Sequence, residues 1–349
     1  MDNDRNNILV WLPSPMGDAV LSTPALRAIR RRFQSSHITF LAERIVREVL
    51  SPSAFTDSWL ELPKGRPLTI ARILRPGRFT HALLFKNSFA SALAVFLAGI
   101  PSRIGYAREG RSIFLTERLH PPRLPRGRFK PASMIDYYLA IASSLGCDTT
   151  VRTLQLRIDP DSREKLLSRL PDIVKHDAPL VVMVPGGAFG PSKYWPAPNF
   201  AETADRLIST YNAAVVVSAA ANPAEQRIAG EICRLSRHQL INLAETPVSL
   251  GELKALFSHA DLVISNDTGP RHIAIALGRK VITLFGPNDP VWTDSGYDRE
   301  IQLIGRAPCA PCARPKCRKA EHLCMQAITV EMVCDAADKL LNESQDNPV

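Results

Sequence analysis

A polar turn between two apolar runs is the first feature of this sequence that suits the binding of an anion. Asp267, Thr268 and Gly269 follow a short β-branched run. Pro270 is suited to the first position of a helix, and His272 lies about one helical turn further on. A helix that begins at the carboxyl end of a parallel strand directs free backbone N–H groups and its positive dipole end at one place. The turn therefore indicates a site for the phosphates of a nucleotide, although alone it fits an ordinary helix cap equally well.

A loop rich in glycine and proline, residues 185–196 (PGGAFGPSKYWP), offers a second group of polar atoms. Its glycines let the backbone approach a ligand, Lys193 supplies a mobile cation suited to phosphate, and Ser192 adds a hydroxyl. The glycines form neither G-x-G-x-x-G nor a Walker A loop, which argues against a dehydrogenase and a P-loop ATPase. Lys193 by itself is equally compatible with a solvated surface lysine.

A carboxylate follows the first predicted strand. Asp18, which comes directly after Gly17, lies in the turn that leaves this strand, where it would face a cleft. At that place a carboxylate can accept a proton from a hydroxyl nucleophile. The other interpretation, which the position alone favours, is an aspartate that only complements a helix dipole.

Four cysteines near the carboxyl end have the spacing C-x2-C-x4-C-x6-C; they are Cys309, Cys312, Cys317 and Cys324. Four thiolates so close in sequence can hold a structural zinc ion, as the C-x2-C start suggests. The later spacings match no standard zinc finger, so reduced thiols, or a disulfide pair under oxidation, are the competing interpretation. Basic residues between these cysteines also suit an anionic partner.

The composition is that of a soluble globular protein, with 45% hydrophobic and 22% charged residues among 349. The amino terminus lacks the basic-then-apolar pattern of a secretory signal, and we expect a cytoplasmic protein with reduced cysteines. A net charge of +9 suits an anionic substrate or a membrane surface. Basic residues concentrate in the segment 103–130, but aromatic residues are sparse there and no nucleic-acid-binding motif is present, so nucleic acid ranks low.

Short apolar strands alternate with helical patterns along the whole chain, which predicts parallel, doubly wound α/β sheets. The chain is long enough for two domains, and a polar, proline-containing stretch at 171–179 marks the linker. We therefore expect domains at 1–174 and 175–349, the second with the cysteine-rich segment 309–324 and a C-terminal helix. The predicted strands are 8–12, 38–41, 58–60, 82–85, 103–106, 154–158, 180–184, 214–218, 240–243, 262–265 and 281–285.

Several motifs, taken in order, resemble glycosyltransferase family nine, the ADP-heptose:lipopolysaccharide heptosyltransferases. They are LPSPMGDAVLSTPALRAIR, GIPSRIGY, PGGAFGPSKYWP, SLGEL and SNDTGPRHIAIALGRKVITLFGPNDP. The resemblance spans residues 8 to about 336, and the cysteine-rich segment looks most like the heptosyltransferase II branch. It implies a GT-B fold, in which two Rossmann-like domains face each other across a cleft, an acceptor-binding one and a donor-binding one.

The resemblance also implies a role for particular residues. The aspartate of the family's G-D motif falls on Asp18 and is taken as the general base. The expected donor contacts are Ser192, Lys193, Val248, Asp267, Thr268, Gly269 and His272, and the expected acceptor contacts are Gly17, Arg108 and Arg111. An acidic ribose contact has no clean match; Asn222 stands close to its place and Glu225 lies just beyond.

The implied reaction is an inverting transfer of heptose from ADP-heptose to the anionic Kdo–lipid A inner core, at the inner face of the cytoplasmic membrane. No cofactor is expected for catalysis, because Lys193 and backbone N–H groups would stabilise the departing ADP. Two other functions fit the same residues: a GT-B transferase that uses another sugar nucleotide in surface glycan synthesis, and a non-catalytic binding protein on a GT-B scaffold.

Overall fold

The computed structural model describes residues 6–174, 178–319 and 321–343. These residues form two compact units. The first unit contains the chain up to Arg157 together with Val291–Ser295, and the second contains Ile158–Pro290 and the chain from Gly296 onward. Each unit is built on its own six-stranded sheet, in which all paired strands are parallel.

The first unit begins with a strand that becomes the centre of its sheet. Its elements are β1 (Asn7–Trp11), α1 (Met16–Leu21), α2 (Thr23–Arg32), β2 (His37–Ala42), α3 (Arg44–Leu50), β3 (Ser58–Glu61), α4 (Pro67–Leu74), β4 (His81–Leu84), α5 (Phe89–Leu97), β5 (Ser102–Tyr106), β6 (Glu117–Leu119) and α6 (Met134–Ser144). The strand order is β3-β2-β1-β4-β5-β6. Because β1 is covered on both faces, residues 8–12 are all buried, as expected for a parallel sheet with helices on each side.

The second unit repeats this topology. Its elements are α7 (Pro160–Arg169), β7 (Leu180–Val184), α8 (Ala197–Tyr211), β8 (Ala214–Val217), α9 (Pro223–Leu235), β9 (Ile241–Asn242), α10 (Leu250–His259), β10 (Leu262–Asn266), α11 (Gly269–Ala276), β11 (Lys280–Phe285), β12 (Glu300–Ile304), α12 (Leu323–Gln326) and α13 (Val330–Asn342). The strand order is β12-β11-β10-β7-β8-β9. The order reverses between β7 and β10, which is where doubly wound sheets place their ligands. The predicted architecture of two doubly wound parallel sheets is confirmed.

The helix at the end of the chain belongs to the core of the second unit. Val333, Ala337 and Leu340 of α13 are buried in the same apolar cluster as Met183 on β7. The indole Nε1 of Trp195 donates to the carbonyl of Ile328 at 2.8 Å, just before α13 begins. The loop that carries Lys193 is therefore anchored at its far end against the last helix.

The structure differs from the sequence-based expectation at residues 154–158. No strand forms there, because the segment is held by helix α2 instead: the amide of Gln155 donates to the Thr23 hydroxyl at 3.2 Å. Thr23 is itself the first residue of α2, preceded by Ser22 as the N-cap. Helix α1 forms where the sequence predicted a non-helical turn after β1, and Asp18 lies in the first helical turn of α1.

The division into units also falls earlier than residues 174 and 175. Helix α7 packs against α10 of the second unit, and Arg169 binds the Glu252 carboxylate at 2.6 Å, so this unit begins at Ile158. Residues 175–177 of the expected linker lie outside the described residues. Among the helices that the structure describes, none is both long and apolar enough to cross a bilayer.

At Gly305 the backbone lies so close to that of Cys324 that a single added methyl group should lower the stability of the fold. A Cβ at Gly305 would lie 1.6 Å from the carbonyl oxygen of Cys324, so Gly305→Ala must shift α12 away from the sheet. We expect the free energy of unfolding to fall by about 3 kcal/mol, measured by urea denaturation. Gly230→Ala in α9 is the control, because its Cβ meets nothing within 4 Å, and it should gain about 0.5–1 kcal/mol. Equal stabilities of the two variants would contradict the packing described here.

Candidate active site

A buried ion pair lies at the carboxyl edge of the second sheet. The Lys193 ammonium donates to the Asp267 carboxylate at 2.6 Å and to the Asp267 carbonyl at 2.5 Å. The residues are only 7% and 4% exposed, so water contributes little to their solvation. Lys193 comes from the loop after β7 and Asp267 from the turn after β10, which are adjacent strands. The fold thus brings together two residues that the sequence separates widely, and both were expected at the site.

Two further groups surround the Asp267 carboxylate. The side-chain amide of Asn288 donates to it at 3.1 Å, and the guanidinium of Arg271 lies 3.6 Å away. Burial disfavours the ionised carboxyl, but the ammonium of Lys193 and the guanidinium of Arg271 outweigh it, so the pKa of Asp267 lies below its ordinary value. Asp267 is therefore ionised throughout the physiological range.

Arg271 is fixed from behind by a second ion pair that the sequence did not reveal. Its guanidinium makes two bonds to the Glu300 carboxylate of β12, at 2.5 and 2.9 Å, and the two side chains are 0% and 1% exposed. The Thr283 hydroxyl of β11 also donates to Glu300, at 2.5 Å. The four-residue spacing of Asp267 and Arg271 at a helix start was a usable signal, whereas nothing local pointed to Glu300.

His272 occupies the first turn of α11 and is 3% exposed. Burial, followed by the nearby charge of Arg271, lowers the pKa of His272 to about 3. The imidazole is therefore neutral at physiological pH. Its Nδ1 is a buried atom with no hydrogen-bond partner within the part of the chain that the structure describes. His272 thus carries an unused polar atom beside Thr268, which is the N-cap of α11.

The loop that carries Lys193 rests on the cysteine-rich segment. The amide of Ser192 donates to the carbonyl of Pro315 at 3.2 Å, and its hydroxyl donates to the carbonyl of Arg314 at 2.5 Å. The Ala313 amide in turn donates to the carbonyl of Pro287 at 2.7 Å. The Ser192 hydroxyl, expected to contact a ligand, is instead used to hold the loop in place.

The four cysteines do not form the metal site that their spacing suggested. Across residues 6–174, 178–319 and 321–343 there is no group of three or more His, Cys, Asp or Glu side chains that could hold a metal ion. Cys324 is buried on α12, next to the position of a Cβ at Gly286, whereas Cys309 is exposed. Cys317 lies near the carbonyl of Glu321. The segment between them braces the Lys193 loop through its backbone.

Three other residues expected near the nucleotide lie after β8 and β9, also at the carboxyl edge. The Asn222 side chain caps α9 by accepting from the amide of Glu225, and the Glu225 carboxylate accepts from the amide of Ala220 at 3.1 Å. A Cβ at Gly186 would meet that carboxylate at 2.3–2.4 Å, so Glu225 lies directly on the first loop of the site. Val248 is half-buried just before α10, whose capping box fixes the segment.

In the first unit, Asp18 is partly exposed and projects from the first turn of α1. Burial raises the pKa of Asp18 to about 6. Tyr138 of α6, which is fully buried and stacks on Phe85 with ring centroids 5.2 Å apart, lies near it. Burial and then the charge of Asp18 raise the pKa of Tyr138, so this phenol remains neutral. Asp18 is thus a carboxylate with increased basicity, as a general base requires.

The two arginines expected at the acceptor have different surroundings. Arg111 is fully buried, and its guanidinium donates to the carbonyls of Tyr106 and Lys86 and to the side chain of Asn87. It therefore cannot reach an acceptor, and its role is to join loops after neighbouring strands. Arg108 is half-buried and lies 4.3 Å from the centroid of the Phe129 ring, so it remains a candidate, as does the half-buried Gly17.

Sequence reasoning missed a polar cluster at the same edge of the first sheet. The Ser14 hydroxyl contacts both the Glu43 carboxylate and the Lys86 ammonium, and the Lys86 ammonium lies 3.4 Å from Glu43. These residues follow β1, β2 and β4, which are neighbours in the sheet. Each stands alone in the sequence, so only the strand order could have brought them together.

The comparisons with known proteins agree with this geometry. The family model described as glycosyltransferase family 9 (heptosyltransferase) matches residues 68–322. Lipopolysaccharide heptosyltransferase 2 of Escherichia coli is 29% identical over 315 residues, covering 85% of this chain and 88% of that protein. The corresponding Salmonella typhimurium protein is 28% identical, with coverages of 96% and 99%. The solved structure of E. coli ADP-heptose lps heptosyltransferase II superposes with a TM-score of 0.78 at 25% identity, covering 96% of this chain and 98% of that one.

The two parallel sheets, each with polar residues at its carboxyl edge, are those of a glycosyltransferase with the GT-B fold. The chain belongs to glycosyltransferase family 9, the heptosyltransferase family, and is accordingly a transferase.

The second ion pair behind the site predicts a large effect on stability. Arg271→Leu leaves the Glu300 carboxylate buried without its cation, and we expect the free energy of unfolding to fall by about 3–5 kcal/mol in urea denaturation. Arg271→Leu combined with Glu300→Leu should recover most of that loss, because both charges are then gone. Arg206→Leu, which removes two exposed ion pairs, with Glu202 and Glu331, should change little. A double variant as unstable as the single one would show that the pair is not the cause.

Proposed function

We propose that the protein transfers a heptose from ADP-heptose to the inner core of lipopolysaccharide, with a heptosyl-Kdo–lipid A acceptor. The observation that carries the proposal is the buried Lys193–Asp267 pair at the start of α11, in a chain of glycosyltransferase family 9. The relatives named lipopolysaccharide heptosyltransferase 2 support the choice of sugar and acceptor. The similarity to the solved E. coli ADP-heptose lps heptosyltransferase II supports ADP-heptose as the donor.

The second unit binds the donor in this proposal. The diphosphate lies at the N-terminus of α11, where the amide of Gly269 and the helix dipole favour negative charge. Lys193 turns from Asp267 to a phosphate oxygen, and Asp267 keeps Arg271 and Asn288 as partners. Neutral His272 lies beside the same turn. Glu225 is the acidic residue that accepts from a ribose hydroxyl, because Asn222 is occupied as a helix cap.

The first unit binds the acceptor and supplies the base. The Asp18 carboxylate takes the proton of the acceptor hydroxyl as that oxygen forms a bond to the anomeric carbon. The bond from this carbon to the diphosphate oxygen breaks at the same time, and its electron pair leaves with ADP. Lys193 and the N–H groups of the turn stabilise the charge that develops there, and one good donor of this kind contributes about 3–4 kcal/mol. Inversion at the anomeric carbon follows from this single displacement.

The chemistry assigned to Asp18 and Lys193 needs no metal ion or organic cofactor. The proposed place of action is the cytoplasmic side of the inner membrane, where the protein meets its lipid-anchored acceptor as a peripheral protein. Its net charge of +9 supports this location, since both the inner core and the leaflet surface are anionic.

Transfer itself and the role of Asp18 are tested together. Incubation with ADP-heptose and the heptosyl-Kdo–lipid A acceptor should give a product one heptose heavier, detected by mass spectrometry. UDP- and GDP-sugars should give none. With Asp18→Asn the rate should fall about 10²–10⁴-fold, while isothermal titration shows ADP binding unchanged.

The same reaction should depend on pH in one direction. The raised pKa of Asp18, about 6, means that the carboxyl is protonated below pH 6 and cannot accept a proton. We therefore expect kcat/KM to rise with pH and to level off above about pH 6. A wild-type profile that is flat between pH 5 and 8, or near-normal turnover by Asp18→Asn, would remove Asp18 from the chemistry.

Lys193→Ala tests the donor site. Loss of a charged hydrogen bond to phosphate should weaken ADP binding about 10–100-fold in isothermal titration, because such bonds contribute about 1.5–3 kcal/mol. Lys165→Ala on α7, where the lysine is exposed, is the control and should bind ADP normally. Unchanged ADP affinity in Lys193→Ala, with the fold intact by circular dichroism, would place the diphosphate elsewhere.

A further inference from the structure

One stretch of the first unit has charges of a single sign. Between Lys64 and Arg108 every charged side chain is basic. The stretch contains α4, β4, α5 and β5, so its basic residues are distributed over a folded surface rather than along a tail. Arg66, Arg72 and Arg75, at the start, in the middle and just past the end of α4, are all exposed. A surface of this kind attracts an extended anionic partner.

Large apolar side chains are exposed on the same two helices. On α4 the residues Leu68 and Ile73 are 46% and 43% exposed, and on α5 the residues Phe89 and Phe96 are 44% and 46% exposed. Ile113, in the short 3-10 helix Arg111–Phe114, is 69% exposed. Single exposed apolar residues are ordinary, but a group of five beside a basic stretch indicates an interaction surface.

Direct contacts link the three elements that carry these residues, α4, α5 and the 3-10 helix Arg111–Phe114. The Phe114 ring touches those of Phe89 and Phe96, with ring centroids 5.2 and 5.3 Å apart. The guanidinium of Arg103 lies 5.5 Å from the centroid of the Phe96 ring. Arg75 donates to the carbonyl of Leu97 at 3.0 Å, which brings the end of α4 beside the end of α5. Two arginines, Arg75 and Arg103, therefore lie against α5 beside the aromatic rings.

The two helices cover the same face of the first sheet. Ile70 and Leu74 of α4 are buried in one apolar cluster with Ala92 and Val95 of α5, so their opposite sides point outward together. Helix α5 begins at Phe89, directly after the carboxyl end of β4. The patch therefore reaches the edge of the sheet at which α1 carries Asp18.

We propose that this surface, the α4–α5 face, docks on a bilayer of anionic phospholipid; it comprises Leu68, Arg72, Ile73, Phe89, Phe96, Arg103 and Ile113. The aromatic and aliphatic side chains enter the boundary between headgroups and acyl chains, and the exposed Arg72 binds a phosphate beside them. The guanidinium of Arg103 donates to the carbonyls of Ile100, Pro101 and Phe114 and so holds the base of the face in place. A second copy of the chain is a poor occupant, because a symmetric contact would bring two basic surfaces together.

The proposal rests on the function proposed above and specifies how its lipid-anchored acceptor is reached. Docking through this face holds the carboxyl edge of the first sheet near the headgroups. An acceptor whose sugar extends from the bilayer then needs to travel only a short way to Asp18. Docking and transfer remain separate properties, so each can be measured without the other.

The test uses the full chain and co-sedimentation with vesicles. Vesicles of phosphatidylcholine and phosphatidylglycerol in equal parts should bind the protein, those of phosphatidylcholine alone should not, and added salt should weaken binding. Phe96→Ser combined with Ile113→Ser should reduce vesicle binding about tenfold or more. Arg72→Ser should reduce it about fivefold. Ile45→Ser on α3 is the matched control, because Ile45 is also 46% exposed and lies in the same unit.

Each outcome decides the proposal. Normal vesicle binding by the double variant, or an equal loss in Ile45→Ser, overturns it. A second result also overturns it: the wild-type protein is a dimer in sedimentation velocity, the double variant is a monomer, and neither protein binds vesicles. Transfer to a water-soluble acceptor fragment should be unchanged in the double variant, and transfer to acceptor in vesicles should fall. Vesicle binding that depends on Phe96 and Ile113 without any heptose transfer would support the docking face and refute the proposed function alone.

Discussion

The buried pairing of the Lys193 ammonium with the Asp267 carboxylate is the interaction on which the rest of the candidate site in the second unit depends. Two charges that are almost removed from water are stable only when other charges and dipoles replace the lost hydration. Here positive and negative side chains alternate from Lys193 and Asp267 to the buried Arg271 and Glu300. Asn288 adds a neutral hydrogen-bond donor to Asp267. The Asp267 carboxylate therefore has partners other than Lys193, and it stays paired when the lysine turns to an anion.

The fold supplies this arrangement through the order of its strands. Lys193 follows β7 and Asp267 follows β10, and these strands are adjacent at the point where the strand order reverses. In the first sheet the corresponding central strand, β1, leads to Asp18. The same topology thus carries a cation and a helix start in one unit and a carboxylate of increased basicity in the other. The cysteine-rich segment contributes by accepting hydrogen bonds from Ser192 through its backbone carbonyls.

Local patterns explain which elements could be predicted. The strand, turn and helix around Asp267 were predictable because each step depends on nearby residues: a β-branched run, Thr268 as N-cap, Pro270 in the first turn and Gly278 with a positive φ after the helix. The strand expected at 154–158 was wrong because the backbone amide of Gln155 donates to the Thr23 hydroxyl of α2 rather than to a neighbouring strand. Strands β6 (Glu-Arg-Leu) and β12 (Glu-Ile-Gln-Leu-Ile) were missed because charged and polar residues interrupt their apolar character.

The roles of polar residues depended on partners far away in the chain. Arg111 was expected at the acceptor, but carbonyls from β5 and from the loop after β4 use its N–H groups. The cysteine spacing suggested a metal, but the described part of the chain holds no group of three or more possible metal ligands, and Cys324 is buried whereas Cys309 is exposed. The role of Glu300 could not be predicted from its neighbours in the sequence. It depends on the pairing of β12 with β11, which places the Glu300 carboxylate beside Arg271.

The sequence by itself determined the class of fold, the two sheets and the family, and it made Asp18, Lys193 and Asp267 candidates. These could be predicted because the spacing of apolar residues, the turn residues and the order of motifs are all visible along the chain. Only the tertiary structure decided which of the charged residues are paired, buried or accessible. The physical reason is that the energy of a charge depends on what replaces its water, and that is set by atoms that strand order brings together from distant parts of the chain.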